Sequence, residues 1–301
     1  MNGNPLCPAC GAGGTSPWHE KNGYGIFRCG DCGTGFLDRE ALDLDPKVLY
    51  GRAYYAGDGK TTYLDYAGER ENLRRAYRRI LGWIEKEAGA PGRLLEAGCA
   101  MGFFLDAARE RGWATRGFEI SEFAASVAAR KPDLGVTCAD FTSPGVEVEP
   151  GSFDAAVALD TIEHVRAPEI LLAKMHLALR EGGICLVSTG DITSLHASIA
   201  GRRWRLIQPP EHIYYFSRRG LRSLMKRQGF SPEAVKYPWK HYSAAALAGF
   251  FGIRLPRSLG RIPIPVNTLD IMYILARKGA LCEVLPKLSN HRGAPYNMES
   301  E

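Results

Sequence analysis

No stretch of this sequence is apolar for long enough to span a bilayer. The longest, Ser243 to Ile253, falls well short of the roughly 20 residues a spanning helix needs. The opening has no basic segment leading into an apolar one, so no secretory signal is expected, and the expectation is a soluble cytoplasmic protein. Internal repeats are absent. Hydrophobic residues at 45% and charged residues at 24% are ordinary globular values, which exclude disorder, collagen and coiled coil as the main architecture. Cysteine is sparse outside the N-terminus. Cys99, Cys138, Cys185 and Cys282 lie scattered in apolar segments, which is not the disulfide framework of a small secreted domain. The dinucleotide fingerprint G-x-G-x-x-G is also missing, because Ala100 and bulky Phe103 stand where its second and third glycines belong.

The 301 residues leave room for one large domain and a small one. Residues 1–45 are rich in Gly, Cys and turn residues and read as a small separate module. Residues 46–90 read as a linker and cofactor lid. It carries Tyr50, Tyr54 and Tyr55, then a helix over 65–88 with Leu73, Tyr77, Ile80, Leu81 and Ile84 on one face. From 91 to 280 the pattern alternates. Strands are expected at 93–99, 115–120, 135–140, 153–160 and 182–189, and helices at 103–111, 121–130, 168–179 and 217–228. Closing strands are expected at 232–237 and 268–277. Such alternation predicts an α/β fold, a parallel sheet with helices on both faces. Residues 239–267 read as a basic, apolar insertion and 281–301 as a loose tail.

The net charge of +5 is unevenly spread. Between Arg202 and Arg261, thirteen Lys and Arg face only Glu211 and Glu233, a local balance of +11 that leaves the rest at −6. That field favours an anionic partner: a phosphate, a nucleotide, a nucleic acid or an acidic membrane. The plain alternative is a solvated helix face. The alternation of apolar residues with Arg254, Arg257 and Arg261 admits transient contact with an anionic bilayer or a lipid-linked substrate, or else a simple cover over the sheet edge.

Cys7 and Cys10, then eighteen residues, then Cys29 and Cys32 form two C-x2-C pairs, each followed by a glycine, Gly11 and Gly33. Two such pairs can set four thiolates tetrahedrally around zinc, and four protein ligands leave no position open for substrate. A structural zinc is expected. Residues 1–33 hold Lys21 and Arg28 against Glu20 and Asp31, so the module is neutral and does not itself argue for nucleic acid.

The first strand of the large domain ends in Glu96-Ala-Gly98-Cys99-Ala100-Met-Gly102-Phe103. Small residues at 98, 100 and 102 let the backbone approach a cofactor at the carboxyl edge of a parallel sheet, and Glu119 at the end of the next strand can accept both ribose hydroxyls of an adenosine. The spacing E-x-G-x-G-x-G, with Ala100 for the middle glycine, resembles motif I of class I S-adenosylmethionine-dependent methyltransferases. Asp140-Phe141, FDAAVALDTIEHV (153–165) and EGGICLVST (181–189) resemble the later motifs of that family in the same order. The resemblance implies a Rossmann-like sheet and an S-adenosylmethionine site. It places Glu96, Gly98, Cys99, Ala100, Gly102, Phe103, Glu119, Ile120, Asp140, Phe141, Leu159 and Asp160 at the cofactor, with Asp140 on the adenine amine, Phe141 on its ring and Asp160 at the methionine end. FRCGDCGTGFLD, the Tyr-rich linker and RRWRLIQPPEHIYYFS (202–217) narrow it to methyltransferases with an N-terminal zinc ribbon, associated with polysaccharide and secondary-metabolite biosynthesis. This implies a small-molecule acceptor, anionic or glycosylated, such as a nucleotide- or lipid-linked sugar. Two residues depart from the pattern. Ala100 is tolerable only where φ stays negative. Gly190-Asp191 stands where relatives carry Pro-Asn.

Methyl transfer from a sulfonium needs alignment and, for a hydroxyl acceptor, removal of a proton. His212 and His164 are the candidate general bases, with His212 preferred because Trp204, Arg205, Tyr214 and Tyr215 around it suit a sugar ring and a phosphate. Each histidine has a plainer reading, as a backbone-bonded or loop residue. Tyr63 or Tyr66 is placed either to close over the cofactor or to pack the helix. Two other functions compete: an rRNA or tRNA methyltransferase bearing a zinc ribbon, and a non-catalytic binding module. The oligomeric state is not legible in the sequence.

Overall fold

The computed structural model describes residues 4–38, 42, 45–56, 70–249 and 262–279. Tyr63, Tyr66, residues 250–261 of the insertion and the tail at 281–301 lie outside the described residues. None of the described helices is long and apolar enough to cross a membrane.

The chain opens with a hairpin, β1 (Thr15–Lys21) and β2 (Tyr24–Cys29), joined by Asn22-Gly23. Both turn residues have positive φ, +53° and +80°, the conformation a two-residue hairpin loop demands. β3 (Gly35–Leu37) pairs with β2. Two short helices follow, α1 (Pro46–Leu49) and α2 (Arg52–Ala56), and then α3 (Arg70–Ala88). Ile80, Leu81 and Ile84 of α3 are buried, and Tyr77 meets Phe104 edge-to-face at 5.3 Å, so the face read from the sequence is the face that packs.

The large domain then alternates strand and helix: β4 (Arg93–Ala97), α4 (Phe103–Arg109), β5 (Ala114–Glu119), α5 (Glu122–Ala128), β6 (Val136–Cys138), β7 (Phe153–Leu159), α6 (Pro168–Ala178) and β8 (Leu179–Gly190). α7 (Leu195–Ala200), β9 (Tyr214–Tyr215), α8 (Arg218–Arg227) and β10 (Phe230–Lys236) come next. β11 (Lys240–Ser243), α9 (Ala244–Gly249), β12 (Pro263–Val266) and β13 (Ile271–Lys278) complete the described chain. Ser121, Ser194 and Ser217 cap α5, α7 and α8, each accepting a main-chain N–H with its hydroxyl.

Seven strands form the main sheet in the order β10-β13-β8-β7-β4-β5-β6. β4, β5, β6, β7 and β8 run parallel, while β13 inserts antiparallel between β8 and β10. Every strand expected from the alternation is present. Period-two burial divides the sheet between two cores. Leu94, Val157, Leu186 and Leu275 face the α3–α4 side, and Leu95, Ala158, Val187 and Ile274 face the other.

The N-terminal segment is not separate. Its four-stranded sheet runs β1-β2-β3-β9, and β9 is drawn from residues 214–215 of the large domain, with Gly35 paired to Tyr215 and Phe36 to Tyr214. Ile26, Phe36 and Leu37 share one core with Phe216, Leu221, Leu224 and Met225. Three β-strands with so little apolar surface cannot bury a core alone, and the module closes it against α8.

Candidate active site

The carboxyl edge of β4 turns through a tight loop. Gly98 has φ +75°, and a Cβ there would lie 2.5 Å from Thr161 Oγ1, so only glycine lets the loop after β7 approach. Ala100 also adopts positive φ, +46°. The expectation that alanine is tolerated here through negative φ is therefore wrong: this residue is held in the left-handed region at a cost of roughly 1–2 kcal/mol. What holds it is Glu119, whose Oε2 accepts the Ala100 N–H at 2.8 Å while Oε1 accepts Ser121 N–H at 2.8 Å. Burial raises the Glu119 pKa even so, against the opposing hydrogen bonds from Ser121, Ala100, Ile120 and Tyr55.

Glu96, fully buried beneath this loop, lines the same cavity, and its Oε2 has no hydrogen-bond partner among the described residues. Burial, then the charge of Glu119, pushes it well above the ordinary carboxylate range. On the other side of the cavity Asp160 takes φ +48°, fixed by its N–H to Ser188 Oγ at 2.9 Å and by Ser188 Oγ donating to its Oδ1 at 2.7 Å. Asp140 accepts Thr142 N–H and hydroxyl at 2.8 and 2.7 Å, and Phe141 packs on Phe118 at 5.0 Å.

These groups surround a cavity of about 320 Å³. Glu96, Gly98, Cys99, Ala100, Glu119, Ile120, Asp140, Phe141, Leu159 and Asp160 line it; Gly102 and Phe103 do not. Gly102 caps α4, and a Cβ there would meet Leu134 and Ala128 at 2.9 and 3.1 Å, so its glycine serves helix packing. Phe103 packs with Tyr54, Tyr55, Met101 and Ala124. The far wall is mostly apolar: Leu42, Pro46, Leu49, Val165 and Ile213, with Tyr50, His164 and Arg166 at its polar points.

His164 lines the cavity, but His212 does not. His212 is 8% exposed and sits directly behind, its ring 4.7 Å from His164 and nearly perpendicular to it. His164 Nδ1 lies 2.8 Å from Glu211 O and His212 Nδ1 lies 2.7 Å from Leu206 O. A carbonyl only accepts, so each Nδ1 carries the proton and each Nε2 keeps its lone pair. Tyr50 donates its hydroxyl to the same Glu211 carbonyl at 3.3 Å. Burial pushes the His164 pKa down to about 4 and, with the neighbouring imidazole, that of His212 down to about 3. Both rings are neutral at pH 7.

None of Trp204, Arg205, Tyr214 and Tyr215 lines the cavity. Trp204 is 1% exposed, and its Nε1 donates to Asp270 Oδ2 at 2.9 Å. Arg205 pairs with Asp270 Oδ1 at 3.0 Å. Tyr214 and Tyr215 are buried in β9, and the Tyr214 hydroxyl donates to Arg166 O at 2.9 Å. They are aromatic because they are core. Gly190 belongs with them: a Cβ there would press 2.9 Å from the Trp204 ring, and Asp191 accepts the Tyr237 hydroxyl at 2.6 Å. The cavity residues missed in the sequence include the apolar far wall and the polar side chains of Tyr50, Tyr54, Tyr55, Thr161 and Arg166. The three tyrosines stand out there only as a cluster, with nothing to say which way they face.

The four N-terminal cysteines converge as expected. Cys7 and Cys32 Sγ lie 3.6 Å apart, as do Cys10 and Cys29 Sγ, and all four lie within 4.8 Å of one another. A tetrahedron with Zn–S of about 2.3 Å has edges of roughly 3.8 Å, whereas a disulfide needs about 2.05 Å. The donor set therefore fits zinc. Gly11 and Gly33, both at φ +80°, turn the chain beneath it.

A family model described as a methyltransferase domain matches residues 66–235. That is more than half of the chain, and the chain belongs to this family. With the inserted antiparallel strand and the glycine loop above, it is a class I S-adenosylmethionine-dependent methyltransferase fold. Ubiquinone biosynthesis O-methyltransferases are similar over a shorter stretch. The protein of Pseudomonas paraeruginosa (strain DSM 24068 / PA7) is 29% identical over 114 residues, 36% of this chain and 49% of that protein. The protein of Cupriavidus pinatubonensis is 30% identical over 114 residues, 36% and 46% of the two chains. The chain spans about half the length of these curated relatives. Among solved structures, a SAM-dependent methyltransferase from Archaeoglobus fulgidus is similar with a TM-score of 0.50 at 19% identity, covering 69% of this chain and 94% of that one. A chain from the complex between the Haloferax volcanii Trm112 methyltransferase activator and a methyltransferase gives 0.51 at 13% identity, covering 71% and 95%. At these identities the structures speak for the fold alone.

Proposed function

We propose that the protein is an S-adenosylmethionine-dependent methyltransferase acting on a hydroxyl of a small, largely apolar acceptor. The observation that carries this is the juxtaposition within one cavity of the Glu119–Ala100 cradle and the His164 imidazole. The unpartnered Glu96 oxygen and the glycine cradle at Gly98 suit the polar methionine end of the donor, and Glu119 suits its ribose. When bound, the sulfonium supplies an electrophilic methyl group and a neutral leaving thioether.

The chain's own residues do the rest. Glu119, Asp140 and Asp160 orient the donor, and Leu42, Pro46, Leu49 and Ile213 hold the acceptor and exclude water. His164 accepts the acceptor proton at Nε2, with Nδ1 anchored on Glu211 O. An imidazole held near 4 is badly matched to a sugar alcohol and better matched to an acidic hydroxyl, such as a phenol or enol. The sugar or glycoconjugate reading comes from the resemblance, and Trp204, Arg205, Tyr214 and Tyr215, the residues that suit a sugar ring and a phosphate, lie outside the cavity. Arg166 at the wall suits an anionic substituent on the acceptor. The four thiolates are proposed to hold a structural zinc.

Labelled methyl donor, offered with separate pools of phenolic acids, nucleotide sugars, lipid extract and RNA, tests this reading. Label is expected in the phenolic pool. Label in RNA alone, or in the sugars alone, would overturn it.

A further inference from the structure

We propose that the N-terminal ribbon is a positioning device for the acceptor side of the cavity, acting through Lys21 and Asn22 at the tip of its first hairpin. The inference rests on the proposed role of His164 and His212.

Residues 206–213 form neither helix nor strand. Three contacts from the ribbon pin them. Lys21 Nζ donates to Ile207 O at 2.5 Å, Asn22 Nδ2 donates to Pro209 O at 2.9 Å, and Leu37 N–H donates to Ile213 O at 2.9 Å. Beyond the loop, Ser217 Oγ donates to Cys32 O at 2.5 Å, tying its far end to the cysteine cluster. The two carbonyls that orient the imidazoles are chain neighbours of the pinned residues: Leu206 O, on His212, precedes Ile207, and Glu211 O, on His164, lies between Pro209 and Ile213. The ribbon thus sets the loop, and the loop sets the direction in which each Nε2 points.

Lys21 and Asn22 lie outside the cavity lining, so they act on the reaction only through this loop. An ammonium bonded to a carbonyl is the stronger kind of hydrogen bond. A misplacement of the reacting groups by about 1 Å can cost on the order of 100-fold in rate. Loosening two of the three clamps is expected to cost part of that.

The test is the double variant Lys21→Met, Asn22→Gly in the full-length, metal-loaded protein. Methionine keeps an unbranched stem, and glycine accepts the turn's positive φ, so the hairpin folds. One metal per chain and unchanged affinity for S-adenosylmethionine are expected, with shifted His164 and His212 imidazole NMR signals. Methyl transfer should fall about tenfold in kcat, and Lys21→Arg alone should retain most of it. Unmoved imidazole signals would overturn the inference. Shifted signals with full turnover would uphold the clasp and instead refute His164 as the proton acceptor.

Discussion

The wall proposed to hold the cofactor comes from one edge of one sheet: Glu96 near the end of β4 and Gly98 to Ala100 just after it, Glu119 at the end of β5, Asp140 after β6 and Asp160 after β7. The wall proposed to meet the acceptor gathers Leu42 and Tyr50 from before α3, His164 from after β7 and Pro210 and Ile213 from a loop that the ribbon contacts. The first wall is assembled by topology alone, because parallel strands bring their carboxyl ends together. The second depends on contacts between segments far apart in the chain. Damage should therefore divide between the two walls, with cofactor binding and acceptor chemistry failing separately.

The sharpest break is Cys29→Ser. One of the four proposed metal ligands disappears, and zinc binding is worth roughly 10–16 kcal/mol of apparent folding free energy in small zinc-finger peptides. Metal content should fall from one per chain to none, the 206–217 segment should become sensitive to proteolysis, and S-adenosylmethionine should still bind. Full metal content in this variant would refute the four-thiolate site. Next come Glu119→Ala and His164→Ala as a pair. The first should weaken cofactor binding by about 100-fold, through loss of both the proposed ribose contact and the clamp on Ala100. The second should leave that affinity alone and lower kcat by about 100-fold or more. Calorimetry and turnover on both variants decide it, and equal effects on both quantities would erase the distinction between the walls.

Acid separates the walls more gently. His164 and His212 have folded pKa values depressed to about 4 and about 3, below the ordinary histidine value. Below about pH 6.5 the unfolded chain takes up protons that the folded chain refuses, so stability should fall as pH drops from about 6.5 towards 4, by on the order of 3 kcal/mol per imidazole. Urea midpoints at pH 7 and pH 5 should separate more in the wild type than in His164→Asn, His212→Gln. The smallest effect is expected at Ala100→Gly. Relief of positive φ is opposed by glycine's greater unfolded-state entropy, which leaves a gain of about 1 kcal/mol or less. A loss of stability would show that Ala100 is not strained.

The same division governed what could be read from the residues. That Glu96, Gly98, Glu119, Asp140 and Asp160 gather at one cavity was legible because each lies at or just beyond the carboxyl end of a strand whose order and direction the alternation already implies. Gly102 sits in the same motif, yet it is a packing glycine, and the spacing alone does not separate the two uses. On the acceptor side, Trp204, Tyr214 and Tyr215 have the composition of a sugar-binding surface. Nothing local shows that Gly190 and Asp270 take Trp204 inward, or that β3 recruits Tyr214 and Tyr215 as a strand. Nor does the sequence place His164 before His212, since that order is set by how residues 206–213 fold back.

The bond between Thr34 and Ser217 joins residues 183 positions apart. During synthesis the first three strands emerge with a free edge at β3, and their partner strand is not yet made. Until it arrives, Phe36 and Leu37 have no apolar neighbour from the large domain. Closure across so long a stretch belongs among the last events of folding, so the ribbon is made before the large domain and finished after it.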